Sequence, residues 1–362
     1  MREGWEYKKL GEVATFVNGY PFKPSDWKDR GKRIIRIQNL NNPNAEYNYY
    51  DGSIDSKYLV SNGDVLISWS GSLGVFEWSQ SEAILNQHIF KVVFDKGEIN
   101  KRFFEYVVAS RLNEMKAKVH GITMQHITKK DFDVILIPIP PLSVQQSIVS
   151  ELDMLSGLIA KHEEQLKAYD ELAQSIFYDM FGDPVENEKG WEVKKLSECC
   201  KNCDSQRKPI TAKDRISGDI PYYGASGVVD YVKDYIFDGD YLLISEDGAN
   251  LILRSTPIAF QIKGKTWVNN HAHVLLFDSL YQQVYLEYSI NLRDISMLVT
   301  GCAQPKLTQA AMNNMNIPYP PLPLQQSFAE KIEAIERQKE RIRQSMAEVK
   351  TMFDSRMDYY FN

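Results

Sequence analysis

Residues 137–153 read IPIPPLSVQQSIVSELD, and residues 317–333 read IPYPPLPLQQSFAEKIE. The two stretches stand 180 residues apart, and the offset holds to the end of both copies: Phe328 falls on Ile148, Ile332 on Leu152, Ile335 on Leu155, Met346 on Leu166 and Phe361 on Phe181. In the first copy Ile148, Leu152, Leu155, Ile159, His162, Leu166, Tyr169, Ala173, Ile176 and Met180 alternate steps of four and three. The same register in the second holds Phe328, Ile332, Ile335, Lys339, Ile342, Met346, Val349, Phe353, Arg356 and Tyr360. A repeat of 3.5 residues keeps one apolar stripe facing a partner, which is a coiled-coil seam. The spacing predicts helices over 143–182 and 323–362, each a rod of roughly 57 Å for some ~38 residues. Ser143 with Gln146 has capping-box spacing, and Pro323 suits a first helical position. Nothing between the copies is long enough to be their partner, so the two helices are expected to pair with each other, antiparallel. Gln145, Gln146, Gln325 and Gln326 at the helix starts join the seam residues as the expected spacer and partner interface.

The rest of the chain repeats too. GWEYKKLGEVA at Gly4 matches GWEVKKLSECC at Gly190, GDVLIS at Gly63 answers GDYLLIS at Gly239, NQHIFKVVF at Asn86 answers NNHAHVLLF at Asn269, and GITMQHI at Gly121 answers GCAQPKL at Gly301. The offset drifts through 186, 176, 183 and 180, so insertions fall in loops. The order is domain (1–142), helix (143–182), domain (183–322), helix (323–362). Each domain reads as α+β. In the first, RIIRIQNL, GDVLISWS and HIFKVVF are strand-like, Asn18-Gly19, Asp51-Gly52 and Asn62-Gly63 are turns, and Lys101 to Val119 is helical. In the second, YLLIS, PIAFQI and HVLLF are strands, followed by a helix around 280–299. Gly182-Asp183-Pro184 ends the first long helix.

The totals fit a folded chain of two or more domains: 362 residues, 43% apolar and 25% charged. No apolar run nears the ~18 residues of a membrane span, the first residues lack a signal-type apolar core, and four cysteines make no disulfide framework, so cytoplasmic residence is expected. The net charge of −6 divides as +2, −5, −3 and 0 over the four segments, so much of the acidity lies on the first helix. Bulk charge therefore neither predicts nor forbids a polyanion partner.

A search for catalytic motifs comes up empty. Gly71, Gly74, Gly224 and Gly227 lack the spacing of a phosphate-cradling loop, and no Asn-Pro-Pro-aromatic run of an amino-methyltransferase occurs. Cys200 and Cys203 form a lone C-x-x-C, and His271 with His273 could chelate from one strand face. Both pairs read better as buried residues, the histidines hydrogen-bonded inside the domain, so no metal is expected. Binding signals are richer. Lys28, Arg30, Lys32, Arg33 and Arg36 crowd one segment beside Trp27, with Gln38, Asn39, Tyr47, Tyr49 and Tyr50 following. In the second domain Arg207 and Lys208 take the comparable place, with Tyr222, Tyr223 and Ser226 at the Gly224–Gly227 loop and Arg254, Lys263 and Lys265 beyond. Cations neutralise phosphates, and Arg, Gln and Asn read base edges. A charge run is as readily a solvated face, and the recurrence in both halves is what favours binding.

The domain–helix–domain–helix order, the paired P-P-L-x-x-Q-Q helix starts and the G-W-E-x-K-K-L openings resemble the specificity (S) subunit of type I restriction-modification systems. YYGASG at Tyr222 and NNHAHV at Asn269 also look like a target recognition domain type of that family. The resemblance covers the whole chain. It implies two target recognition domains, each reading half of a split DNA site. The helices become a spacer that docks two methyltransferase (M) subunits, joined by translocating nuclease (R) subunits. It implies no catalytic centre here, with S-adenosylmethionine, ATP and Mg²⁺ belonging to the partners. Two diverged readers on a rigid spacer predict a bipartite, asymmetric site with an unread gap. An orphan DNA-modifying enzyme and a coiled-coil protein-binding scaffold are the rival readings.

Overall fold

The computed structural model describes residues 4–42, 44–118, 129–301 and 303–362. The GITMQHI stretch at 121–127, and Val119 at the end of the first expected helix, lie outside them. The chain divides into two compact units, Met1–Lys161 with Ser345–Asn362, and His162–Gln344. Four helices exceed eight residues among the described ones: α1 (Lys101–Lys118), α2 (Leu142–Phe181), α3 (Leu280–Leu292) and α4 (Leu322–Phe361).

The first unit holds two four-stranded sheets. One is antiparallel, in the order Thr15–Asn18, Ile89–Val93, Val65–Ser68, Gly74–Glu77. The other runs Asn48–Tyr50, Lys32–Ile35, Ala83–Leu85, Leu59–Val60, its central pair parallel. Helix α1 covers the first sheet: Phe103, Phe104, Val107 and Leu112 share a buried core with Phe16, Ile67, Phe90 and Val92. Asn100 starts α1, its Oδ1 accepting the Phe103 N–H at 3.0 Å, which satisfies one of the helix's orphan donors. The RIIRIQNL run is only half strand. It turns into a short helix at Ile37–Asn41 because Asn39 accepts the Arg36 N–H at 3.1 Å.

The second unit repeats this plan strand for strand. Its antiparallel sheet runs Lys201–Asn202, Ala272–Leu276, Tyr241–Ser245, Ala259–Ile262, and its mixed sheet runs Gly227–Val232, Ser217–Gly224, Lys265–Val268, Phe237–Asp238. The parallel pair recurs at the same place, Tyr222 opposite Trp267. Helix α3 is capped by Ser279 and ends at Leu292, seven residues short of the expected end, because Arg293 turns extended. The G-W-E-x-K-K-L openings have one structure in both units. Glu6–Lys9 pairs with Leu136–Ile139 and Val193–Lys195 with Asn316–Pro318, and each strand enters a single helical turn whose glutamate, Glu12 or Glu198, accepts the N–H of Lys9 or Lys195.

In each unit the start of one long helix lies against the end of the other, so the pairing is antiparallel. In the first, Ile148, Val149 and Leu152 share a core with Phe361, and Glu151 accepts from Arg356 Nε at 2.7 Å and from the Tyr360 hydroxyl. In the second, Ala173, Phe177 and Phe181 pack with Phe328, Ile332 and Ile335. Lys339, within the seam, reaches Asp170 of α2 at 2.6 Å. Leu155 is buried, Ile159, Leu166 and Ile342 are half-buried between exposed neighbours, as the seam requires, and Met346 is half-buried. Arg356 departs from it: the guanidinium is exposed and Met357 fills the seam. Both helices begin one residue early, so Ser143 sits inside the first turn and Gln146 accepts from Asn100 Nδ2 instead of closing a cap. Gln145 and Gln325 are interior, not partner-facing: each donates Nε2 to the carbonyl of Pro140 or Pro320 at 2.8 Å. Gln146 and Gln326 stay exposed. No helix among the described residues is long and apolar enough to cross a membrane.

Candidate nucleic-acid interface

In the second unit several connections meet at one end of the parallel strand pair. After Val268 the chain makes the tight turn Asn269-Asn270-His271 that links the two sheets. The Asn269 N–H bonds the Tyr223 carbonyl at 3.1 Å, holding this turn against the Gly224–Gly227 loop, and the Ser245 hydroxyl donates to the Ala225 carbonyl. Glu246 N–H bonds the His271 carbonyl at 2.9 Å, and Gly248 N–H the Pro305 carbonyl at 3.0 Å. The resulting rim exposes Lys208, Ser226, Asn270, His271, Gln304 and Lys306.

A buried ionic cluster supports the rim. His273, fully buried, places Nδ1 2.6 Å from Asp204 and Nε2 2.9 Å from the Leu307 carbonyl. Arg207 donates to Glu246 at 2.6 Å and to the Ala272 carbonyl at 2.7 Å, and lies 3.3 Å from Asp204. Lys306 reaches Glu246 at 3.0 Å. Asp204, Glu246 and His273 cluster closely enough to ligate a metal, but Arg207 and Lys306 already neutralise the carboxylates. Burial would raise both carboxyls, but hydrogen bonds from His273 and the Val274 N–H, with the charge of Arg207, hold Asp204 below its ordinary range. Bonds from Arg207 and Lys306 do the same for Glu246. The acids beneath the rim are thus spent internally, and its exposed cations are Lys208 and Lys306. His271 and His273 do not converge on a metal: the His271 ring goes to Asp247, 2.9 Å away.

The first unit builds the same turn, Asn86-Gln87-His88, from different chemistry. Trp69 N–H bonds the His88 carbonyl at 3.2 Å, the counterpart of Glu246 and His271. The His88 backbone is left-handed (φ 73°), and its ring meets that of Trp69 at 4.9 Å. Gly19 is required beside this turn, since a Cβ there would lie 1.9 Å from the Asn86 carbonyl oxygen. Arg36 follows the strand end at the same turn and lies over Trp27 at 5.4 Å.

The expected site residues therefore scatter. Lys28 and Arg30 are exposed, with no side-chain partner among the described residues. Lys32 pairs with Glu82, and Arg33 bonds Gln80 at 2.9 Å and covers Tyr47, both toward the far end of their strand. Gln38 is exposed and donates to the Glu46 carbonyl at 3.2 Å. Asn39 is corrected outright: only 1% exposed, it bonds the Ala45 and Glu46 carbonyls and has nothing left for a base. Arg207 is corrected for the same reason, as a buried strut. Tyr222 is also interior, 1% exposed, its hydroxyl accepting the Ile210 N–H and its ring covered by Arg215. Tyr223 is half-buried, whereas Lys208 and Ser226 reach the rim. Arg254 donates to the Arg293 carbonyl at 2.8 Å just past the end of α3, away from the rim. Lys263 and Lys265 are exposed at the opposite end of the Lys265–Val268 strand, about 13 Å from Asn269 at ~3.3 Å per residue. Sequence reading missed Asp247, Asn270 and Lys306. Asn270 lies in the repeated N-x-H turn and Lys306 in the GCAQPKL stretch, and Asp247 had no signal.

The duplicated fold agrees with what the chain is similar to. A family described as the type I restriction modification DNA specificity domain matches it twice, over residues 2–168 and 188–351. The chain belongs to that family. Among specificity-family relatives, the type I restriction enzyme EcoBI specificity subunit of Escherichia coli is 28% identical over 169 residues, 46% of this chain and 35% of that protein. The putative subunit S.HindORF215P of Haemophilus influenzae is 37% identical over 145 residues, 40% and 37% of the two chains. The chain thus matches little more than a third of the length of either. The MjaVIII specificity subunit of Methanocaldococcus jannaschii is 21% identical over 92% of this chain and 86% of its own. The specificity-family fold is also that of a solved type I restriction-modification S subunit from M. genitalium, at 15% identity and TM-score 0.56 over 99% of this chain and 96% of that one.

Proposed function

We propose that this chain is the DNA sequence-specificity subunit of a type I restriction-modification complex and is not itself an enzyme. Each domain reads one half of a bipartite, asymmetric site in double-stranded DNA. The antiparallel helices set the spacing between the halves and dock two methyltransferase subunits, to which the nuclease subunits add. S-adenosylmethionine, ATP and Mg²⁺ act in those partners, in the cytoplasm. The observation that carries the reading is the repeat itself: one topology built twice, with different side chains at the same sheet-linking turn. Two related readers on one frame suit two unlike half-sites. The small cation count of each rim fits a reader that leaves much phosphate contact to its partners, so the isolated chain binds DNA weakly and with a shallow salt dependence.

Methylome sequencing of a host expressing the chain with its methyltransferase tests this. One motif of two unlike halves with a constant gap is expected. Methylation that does not depend on the chain, or DNA cleavage or modification by the chain alone, overturns it.

A further inference from the structure

The rim of the second domain holds one side chain that is oriented and yet unspent. His271 is fixed on three sides: its N–H bonds Asn269 Oδ1 at 2.8 Å, its carbonyl accepts from Glu246 N–H at 2.9 Å, and its Nδ1 lies 3.0 and 2.9 Å from the two oxygens of Asp247. A carboxylate only accepts, so Nδ1 carries the proton. The other ring nitrogen, Nε2, has no partner among the described residues, and the side chain is 47% exposed, whereas Asp247 is 16% exposed. Holding a ring this way costs rotamer freedom that a solvated histidine keeps. That leaves Nε2 as the ring atom able to meet a base edge, such as the exocyclic amino group of adenine or cytosine. Both groups lie in the major groove. Asn270 and Ser226 on the same rim add donors and acceptors, and Lys208 adds a phosphate-pairing cation. In the first domain the equivalent turn spends its histidine against Trp69, so this contact belongs to one half only.

We infer that His271, oriented by Asp247, contacts a base edge in the half-site read by the second domain. This deepens the specificity-subunit reading and rests on it. His271 touches the base, and Asp247 is a positioning residue.

The test uses the full chain with its methyltransferase, reading methylation across a randomised-site library. The unaltered chain is run first and must yield a bipartite motif. If it does not, the specificity-subunit reading fails, and this inference with it. Given that motif, His271→Ala relaxes preference at one base pair of one half by roughly 2- to 13-fold, the worth of a single hydrogen bond, with the other half and the gap unchanged. Asp247→Ala relaxes the same base pair less, and Asp247→Asn, which keeps an acceptor for Nδ1, restores most of it. Lys263→Ala, at the far end of the strand, leaves the motif as it was. An unaltered motif in His271→Ala, a uniform loss at every position, or a change in both halves overturns the inference. So does a failure of Asp247→Asn to recover what Asp247→Ala loses, which would give Asp247 a structural role only.

Discussion

The two units share their sheet order, their parallel strand pair, their opening strand and their capped first turn, and they differ in how they support the turn between the sheets. The first backs it with aromatic packing, Trp69 against His88 and Phe90, over an apolar core. The second backs it with a buried ionic cluster of Asp204, Arg207, Glu246 and His273. Backbone topology needs only apolar alternation and turns, which both sequences supply. The rim is free to diverge because each version is supported by side chains of its own unit. One frame can therefore carry two unlike reading surfaces.

The largest effects should come from breaking what the units have in common. Phe181→Ala and Phe361→Ala remove equivalent rings from the two cores. Each should cost about 3–5 kcal/mol. Phe181 is expected at the upper end because it touches Phe177, Tyr285 and Phe328, whereas Phe361 meets Phe103 and Tyr360. Denaturant unfolding followed by unit-resolved hydrogen exchange would check this, and equal costs would show that ring contacts do not set the difference.

Next in size is the ionic cluster beneath the second unit's rim. Asp204→Ala strands His273 Nδ1 and the Val274 N–H, while Arg207 keeps Glu246, and should cost about 3 kcal/mol or more in that unit. Because Asp204 and Glu246 titrate below their ordinary values, the stability they give is present above the ordinary carboxylate range. It is lost as pH falls through their lowered values. Hydrogen exchange should find the second unit opening first in acid, and simultaneous opening would count against it.

A smaller effect runs the other way. Burial pushes Glu287 up to about 7, against a hydrogen bond from Gln261. The folded state then holds a proton that the unfolded state has released, so this group's contribution declines from about pH 4.5 to about 7 and levels off above. Glu287→Gln should stabilise the second unit by about 1 kcal/mol at pH 8 and hardly at all at pH 4, as thermal melts would register. Smallest is Lys339→Met. Asp170 and Glu336 are 55% and 43% exposed and are not stranded by the loss, so stability should stay within about 1 kcal/mol or rise slightly.

The long helices were legible because a seam repeats every 3.5 residues and leaves its mark over many turns. Lys339 reads as a defect until Asp170, far away in sequence, is brought to it. Arg356 misleads because Met357, one position on, does the packing. The opening motif was legible as a repeat, while its meaning, a strand feeding a capped turn, needed the partner strand before each long helix. The site was less legible. Arg207 has the composition of a phosphate contact, and only the folding of Asp204 and Glu246 around it makes it structural. Asn39 and Tyr222 were misread in the same way, through backbone groups that composition does not reveal. His271 looked like its neighbour His273, and the turn that sends one ring outward and the other inward is a property of the sheet crossing.

The proposed function turns on two dissimilar domains that read half-sites whose gap the paired helices set. Removing seven residues from each long helix, at positions that face one another, and mapping methylation tests it most directly. The account predicts a narrower gap between two unaltered half-sites. An unchanged gap, or a change in the bases of either half, would contradict it.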